Sequence, residues 1–308
     1  MADGAESPVT SRPAASPDSN LLRGVPVLFV MLWATGFMVA KYAIPYAAPF
    51  TILTMRFALA SAMMTAIGLI FGARWPRSVR EIGHIAVTGI LLQAVYLGGC
   101  YGAIYAGLPS GMVALIAGLQ PIVTAALAGP LLGERLRPQQ WLGAALGFVG
   151  LTMVIWHKLA FDSDHLWALF FAFVQLAGIT AATLYQKRFS PNADLKAGAA
   201  IQYAAATIVL LPVMLFIGVG EINWQLQFII AMGWIVIVLS GISIALLTWM
   251  IQRGAASKVA SLFYLTPPVA ALGGYFMFDE RLDALAFCGM GVVALGVFLV
   301  NRSGRGRK

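Results

Sequence analysis

One stretch of this chain occurs twice. Val113 to Leu136 reads VALIAGLQPIVTAALAGPLLGERL and Val259 to Leu282 reads VASLFYLTPPVAALGGYFMFDERL. Laid over each other at 146 residues, the separation of Val113 from Val259, they match at Leu119/Leu265, Pro121/Pro267, Val123/Val269, Ala125/Ala271 and the closing Glu-Arg-Leu. The same offset holds forward through Gly143/Gly289 and Gly150/Gly296 and backward to Lys41/Lys187 and Ala58/Ala204. The chain therefore reads as a tandem duplication. Each copy is an apolar run long enough to cross a bilayer as a helix, with a proline in its middle and a charged stop at its end.

Sixty per cent of the 308 residues are hydrophobic and only 10% are charged, against about a quarter charged in an ordinary soluble domain. This predicts an all-α integral membrane protein. The net charge of +8 does not imply a nucleic-acid partner, because the basic residues stand singly or in small groups between apolar runs. Cys100 and Cys288 both fall inside such runs without histidine or acidic neighbours at metal spacing, so they read as packing residues. No metal site or cofactor is expected.

Residues 1–20 are small, polar and proline-containing and are expected to form a disordered tail; their acidic residues exclude a secretory signal. Ten spans follow, near residues 21–44, 49–71, 85–105, 111–133, 139–156, 166–185, 195–219, 224–250, 258–278 and 282–301. Glutamines dilute the sixth and seventh. The spans group as one five-helix repeat over 21–157 and a second over 166–301, with a basic tail at 302–308. Placing both termini in the cytoplasm puts Arg74, Arg77, Arg80, Arg135, Arg137, Lys187, Arg188, Lys196 and Arg253 inside, and leaves Lys158 and Arg281 outside among acids. An offset of five spans is odd, so the halves are expected to run in opposite directions across the membrane. Inverted repeats recur in secondary transporters that work by alternating access. A duplicated scaffold without a cavity is the alternative.

The segment LWATGFMVAKYAIPYAAPFTILTMRFALA, Leu32 to Ala60, and the Pro121 helix ending Gly133-Glu134-Arg135-Leu136 before Gln140 and Gly143 resemble the EamA-type transporters of the drug/metabolite transporter superfamily. The second half departs in carrying Asp279 where the first has Gly133. The resemblance implies ten helices in two repeats around a central cavity, in the inner (plasma) membrane, and a small-molecule cargo, most often amino acids or related metabolites moved outward. Drug or nucleotide-sugar-type substrates are the second reading.

Lys41 and Arg56 are the ionisable residues that fall clearly inside spans, and neither has an acid in its own helix. Such residues face a bundle interior or an aqueous cavity. Arg56 is expected to receive a substrate carboxylate on its planar fork; Lys41 either assists or pairs with Glu280. The offset relates Lys41 to Lys187 and Glu280 to Glu134, so an outer Lys41–Glu280 pair and an inner Lys187–Glu134 pair are expected as alternating gates. Trp33, Gln93, Tyr101, Gln120, Gln175, Gln202, Tyr264 and Thr266, with Tyr96 and Tyr203, are the uncharged candidates for the cavity wall. Gln120 and Thr266 directly precede Pro121 and Pro267, which are expected to act as mid-helix hinges. No acid lies in a span interior, and His84, His157 and His165 lie at edges, so passage down a gradient is favoured over proton coupling through Glu134 or Glu280. Gly143-x-x-x-Gly147 and Gly289, Gly291 and Gly296 mark close helix contacts, within the bundle or in a homodimer. A membrane enzyme would need a nucleophile with its base, or a metal cluster, inside a span. The residues supply neither.

Overall fold

In a computed structural model, residues 19–132, 138–155, 163–252, 265–280 and 284–302 are described, and among them the chain is helical throughout, without strands. α1 (Ser19–Ala43) leads through a short 3-10 turn into α2 (Pro49–Ile70), which Pro49 opens at its first position. The missing amide of Pro49 is one of the donors a helix start leaves unpaired anyway. α3 (Val79–Gly89) is capped by Ser78, whose Oγ accepts from Glu81 N at 3.1 Å. A π turn, Ile90–Val95, joins it to α4 (Tyr96–Tyr105). α5 (Ser110–Gly118), α6 (Gln120–Leu132) and α7 (Pro138–Ile155) complete the first half. α8 (Ser163–Phe189), α9 (Leu195–Ile217), α10 (Leu226–Gly233), a second π turn at Trp234–Ile242, α11 (Ser243–Gln252), α12 (Thr266–Phe278) and α13 (Ala284–Arg302) follow. Among the described residues, six helical segments are long and apolar enough to cross a membrane: Gly24–Tyr46, Pro49–Ile70, Val79–Tyr105, Leu166–Phe189, Leu195–Ile217 and Leu226–Leu247.

The starts of α2 and α9, of α6 and α12, and of α7 and α13 stand 146 residues apart, as do Ile90 and a position within the second π turn. Two equivalent pairs also pack on each other, α2 on α9 and α7 on α13, while α5 packs on α12. The α7–α13 contact is made of backbone. A Cβ on Gly150 would lie 2.7 Å from Gly289 O and from Val293 N, and one on Gly296 would lie 2.5 Å from Gly143 O. The glycines thus join helices of the same bundle, by the close approach that small residues allow in lipid. Gly150→Val is expected to destabilise the protein by about 1–3 kcal/mol through overpacking, seen as an earlier thermal midpoint in detergent. An unchanged midpoint would mean that the contact adds nothing to stability.

Several expectations need correction. Ser19 and Asn20 already belong to α1, so the tail is shorter than residues 1–20; residues 1–18 lie outside the described residues. The glutamine-diluted sixth span is an unbroken helix running on to Phe189. Gln175 keeps a backbone partner inside the bundle, which offsets its low hydropathy. Pro121 and Pro267 do not kink helix interiors. Each is the second residue of its helix, α6 or α12, where a proline costs no internal hydrogen bond.

Candidate functional site

α2 and α9 run antiparallel, with Phe57 stacked on Tyr203 at 5.9 Å and Ser61 Oγ donating to Ala200 O at 3.0 Å. Between this pair and α1, the first π turn and the second π turn lies a cavity of about 230 Å³. Trp33 and Phe37 of α1, Arg56 of α2, Leu92 and Gln93 of the π turn, Tyr96 and Cys100 of α4, Gln202 and Tyr203 of α9, and Leu239 line its deeper part. Gln186 and Asp194 line the end beside the α8–α9 turn. The antiparallel register places Asp194 some three turns from Arg56 along the bundle, roughly 15 Å at about 1.5 Å per residue.

Arg56 is the charge of this chamber. It is 7% exposed, Nε has no hydrogen-bond partner, and no acid pairs with it among the described residues. Its guanidinium carbon lies 5.7 Å from the Phe57 ring centroid, a contact that shares rather than neutralises the charge. Asp194, by contrast, is engaged: Oδ1 accepts from Lys196 N at 2.9 Å and from Ala197 N at 3.1 Å, capping α9.

A polar cluster fastens the other end of the bundle. Lys41 Nζ donates to Glu280 Oε1 at 2.6 Å, Ser110 N donates to the same oxygen at 2.8 Å, and Ser110 Oγ donates to Oε2 at 2.9 Å. Glu280 is held in place by its own backbone. Asp279 takes the left-handed conformation (φ 50°) as α12 ends, and Glu280 N returns to Gly274 O at 3.2 Å. Around the cluster α1, α5 and α12 meet at small residues. A Cβ on Gly111 would lie 2.7 Å from the Ala271 Cα, one on Gly273 would collide with Met38, and one on Gly274 with Glu280.

Of the residues singled out from sequence, Trp33, Arg56, Gln93 and Gln202 share the cavity wall, together with Tyr96 and Tyr203. Lys41 stands outside it, in the polar cluster. Tyr101 is buried at 1% exposure with a hydroxyl that makes no hydrogen bond, and it is not among the lining residues. Gln120 Nε2 donates to Thr183 Oγ1 at 2.9 Å, and Gln175 Nε2 to Val113 O at 3.4 Å, so both amides join helices. Thr266 is buried in the first turn of α12, also off the wall. Glu134 and Tyr264 lie outside the described residues, and with Glu134 the inner pair to Lys187. Asp194 and Cys100 were missed as wall residues. The first reads in sequence as loop polarity, the second as plain packing.

A bundle of membrane-crossing helices around a chamber with one buried unpaired charge, opening towards one side and fastened at the other, is the framework of a small-molecule transporter. The chain belongs to the EamA-like transporter family, whose profile matches residues 25–156 and again residues 166–302. It is thus a multi-pass membrane protein of the drug/metabolite transporter superfamily and not an enzyme. The "Uncharacterized inner membrane transporter YedA" of Escherichia coli (strain K12) is 24% identical over 274 residues, 88% of this chain and 87% of that protein. A "Probable terminal-alkyne amino-acid exporter" of Streptantibioticus cattleyicolor is 27% identical over 92% of this chain and 94% of its own. A "Probable amino-acid metabolite efflux pump" of Escherichia coli (strain K12) is 23% identical over 89% and 92%. One solved crystal structure covers 94% of this chain with a TM-score of 0.64 at 17% identity, a likeness of fold alone.

Proposed function

We propose that the protein exports small carboxylate-bearing metabolites, amino acids and related compounds among them, by alternating access between two inverted five-helix halves. The halves span residues 21–157 and 166–301, in the inner membrane with both termini cytoplasmic. The observation that carries this reading is Arg56, a buried cation without an acidic partner on the wall of a chamber otherwise aromatic and amide-lined. The chamber ends beside Lys187, Arg188 and Lys196, the side that the cation distribution assigns to the cytoplasm, so this is the inward-facing state. The Lys41–Glu280–Ser110 cluster closes the outer end. The names of two relatives, one an amino-acid exporter and one an efflux pump for amino-acid metabolites, support the substrate class and direction.

Counterflow in proteoliposomes tests it. Amino acids and their carboxylate relatives are expected to exchange, nucleosides are not, and a protonophore is expected to leave the exchange rate unchanged. Exchange of nucleosides without exchange of any carboxylate would reverse the reading of Arg56. Reporter fusions after Leu136 and after Leu282 are expected on opposite faces of the membrane; the same face for both would remove the inverted halves.

A further inference from the structure

The charges of the chamber are distributed unevenly along it, and this bears on what its cargo carries besides a carboxylate. Arg56 lies deep, and within two helical turns of it the wall supplies rings, aliphatic chains, a thiol and the amides of Gln93 and Gln202. The one acid among the described lining residues is Asp194, roughly 15 Å further along the bundle by the helical rise. It is already tied to the amides of Lys196 and Ala197. Glu280 is committed to Lys41 and Ser110.

An α-ammonium is two bonds from its own carboxyl carbon. A carboxylate seated on Arg56 therefore holds that ammonium beside the guanidinium, in a medium of low dielectric, far from Asp194. Like charges at such separations repel strongly when water is excluded, and a desolvated ammonium without an acid is penalised again. Neutral amides and the Tyr96 and Tyr203 hydroxyls offset part of this, but they serve a neutral polar substituent equally well.

We infer that the chamber selects monocarboxylates whose α-position bears no free ammonium, such as deaminated, hydroxylated or N-acylated relatives of apolar amino acids, over the amino acids themselves. This rests on the reading of Arg56 as the carboxylate site and narrows it.

The test is calorimetric titration of the purified full-length protein with two matched trios. These are 3-phenylpropionate, phenylalanine and phenethylamine, and 4-methylpentanoate, leucine and isopentylamine. In at least one trio the acid is expected to bind tenfold or more tightly than its amino acid, and the amine not at all. Arg56→Lys is expected to keep that preference at lower affinity and Arg56→Gln to abolish it, each variant eluting from size exclusion like the unmodified protein. If the amino acid binds as tightly as its acid or more so, the selection is wrong while Arg56 remains a carboxylate site. If only the amines bind, or none of the six binds at millimolar concentration, both are wrong.

Discussion

Arg56→Gln is expected to cut transport by roughly 100-fold while making the folded protein more stable, not less. A guanidinium–carboxylate contact is charge-assisted and bidentate, contributing about 2–3 kcal/mol, and each 1.4 kcal/mol is about tenfold in affinity. The same side chain is 7% exposed and has no acidic partner among the described residues. An arginine at the centre of a membrane helix costs about 2.5–3.5 kcal/mol on insertion scales, an expense the chamber only partly offsets. Removing the charge relieves it. Glutamine keeps the first three carbons of the side chain and a neutral polar end, and the Phe57–Tyr203 stack does not depend on Arg56. Arg56→Lys should fall between, because an ammonium is a point charge without a fork. The measurements are counterflow rate and thermal midpoint on the same preparations. A drop in both would show that Arg56 holds the bundle together; unchanged counterflow would remove it from the substrate path.

On the alternating-access reading proposed above, Glu280→Gln is expected to shift the protein from the inward-facing towards an outward-facing state. Breaking a buried pair by neutralising one partner costs about 3–5 kcal/mol; with the Lys41 side chain one-third exposed (33%), about 2–4 kcal/mol is the discounted figure. Two states related by a duplication lie close in energy, so a change of that size moves their ratio by roughly 30- to 700-fold. Cys100 on the cavity wall reports the change. In a Cys288→Ser background, a membrane-impermeant thiol reagent applied from the Lys41 side should leave Cys100 untouched in the parent and label it in Glu280→Gln. Exchanging the charges, Lys41→Glu with Glu280→Lys, should restore protection. Protection that persists in Glu280→Gln would mean that packing alone closes the outer end.

The apolar runs and their repeat at 146 residues were plain in the chain itself, and so were the starts of α2 and α9; the breaks that begin α6 and α12 just before Pro121 and Pro267 were not. Lys41 and Glu280 were brought to one face by nothing more than the repeat and a count of cations, and their side chains meet at 2.6 Å. What could not be read was which side of each helix faces the chamber. Spans that are apolar all round carry no stripe to orient them, so Gln93 and Gln202 on the wall look no different in sequence from Gln120 and Gln175, which tie helices together. The π turns were equally hidden. Ile90–Val95 and Trp234–Ile242 contain nothing but ordinary membrane residues, yet each rotates everything after it relative to an α-helical count. Asp194 escaped notice because a helix cap and a chamber rim require the same residue type.

The glycine and alanine faces where α1, α5 and α12 meet have a thermal and electrolyte signature. Surfaces this bare release little dispersion energy and expose little oily area when they separate, so their parting should carry only a small heat-capacity change. The barrier then resides in the solvation of a few ions, a quantity that ionic strength adjusts and acyl-chain fluidity barely touches. Turnover in this protein should consequently follow the salt of the medium on the Lys41 side more closely than the melting behaviour of its lipids.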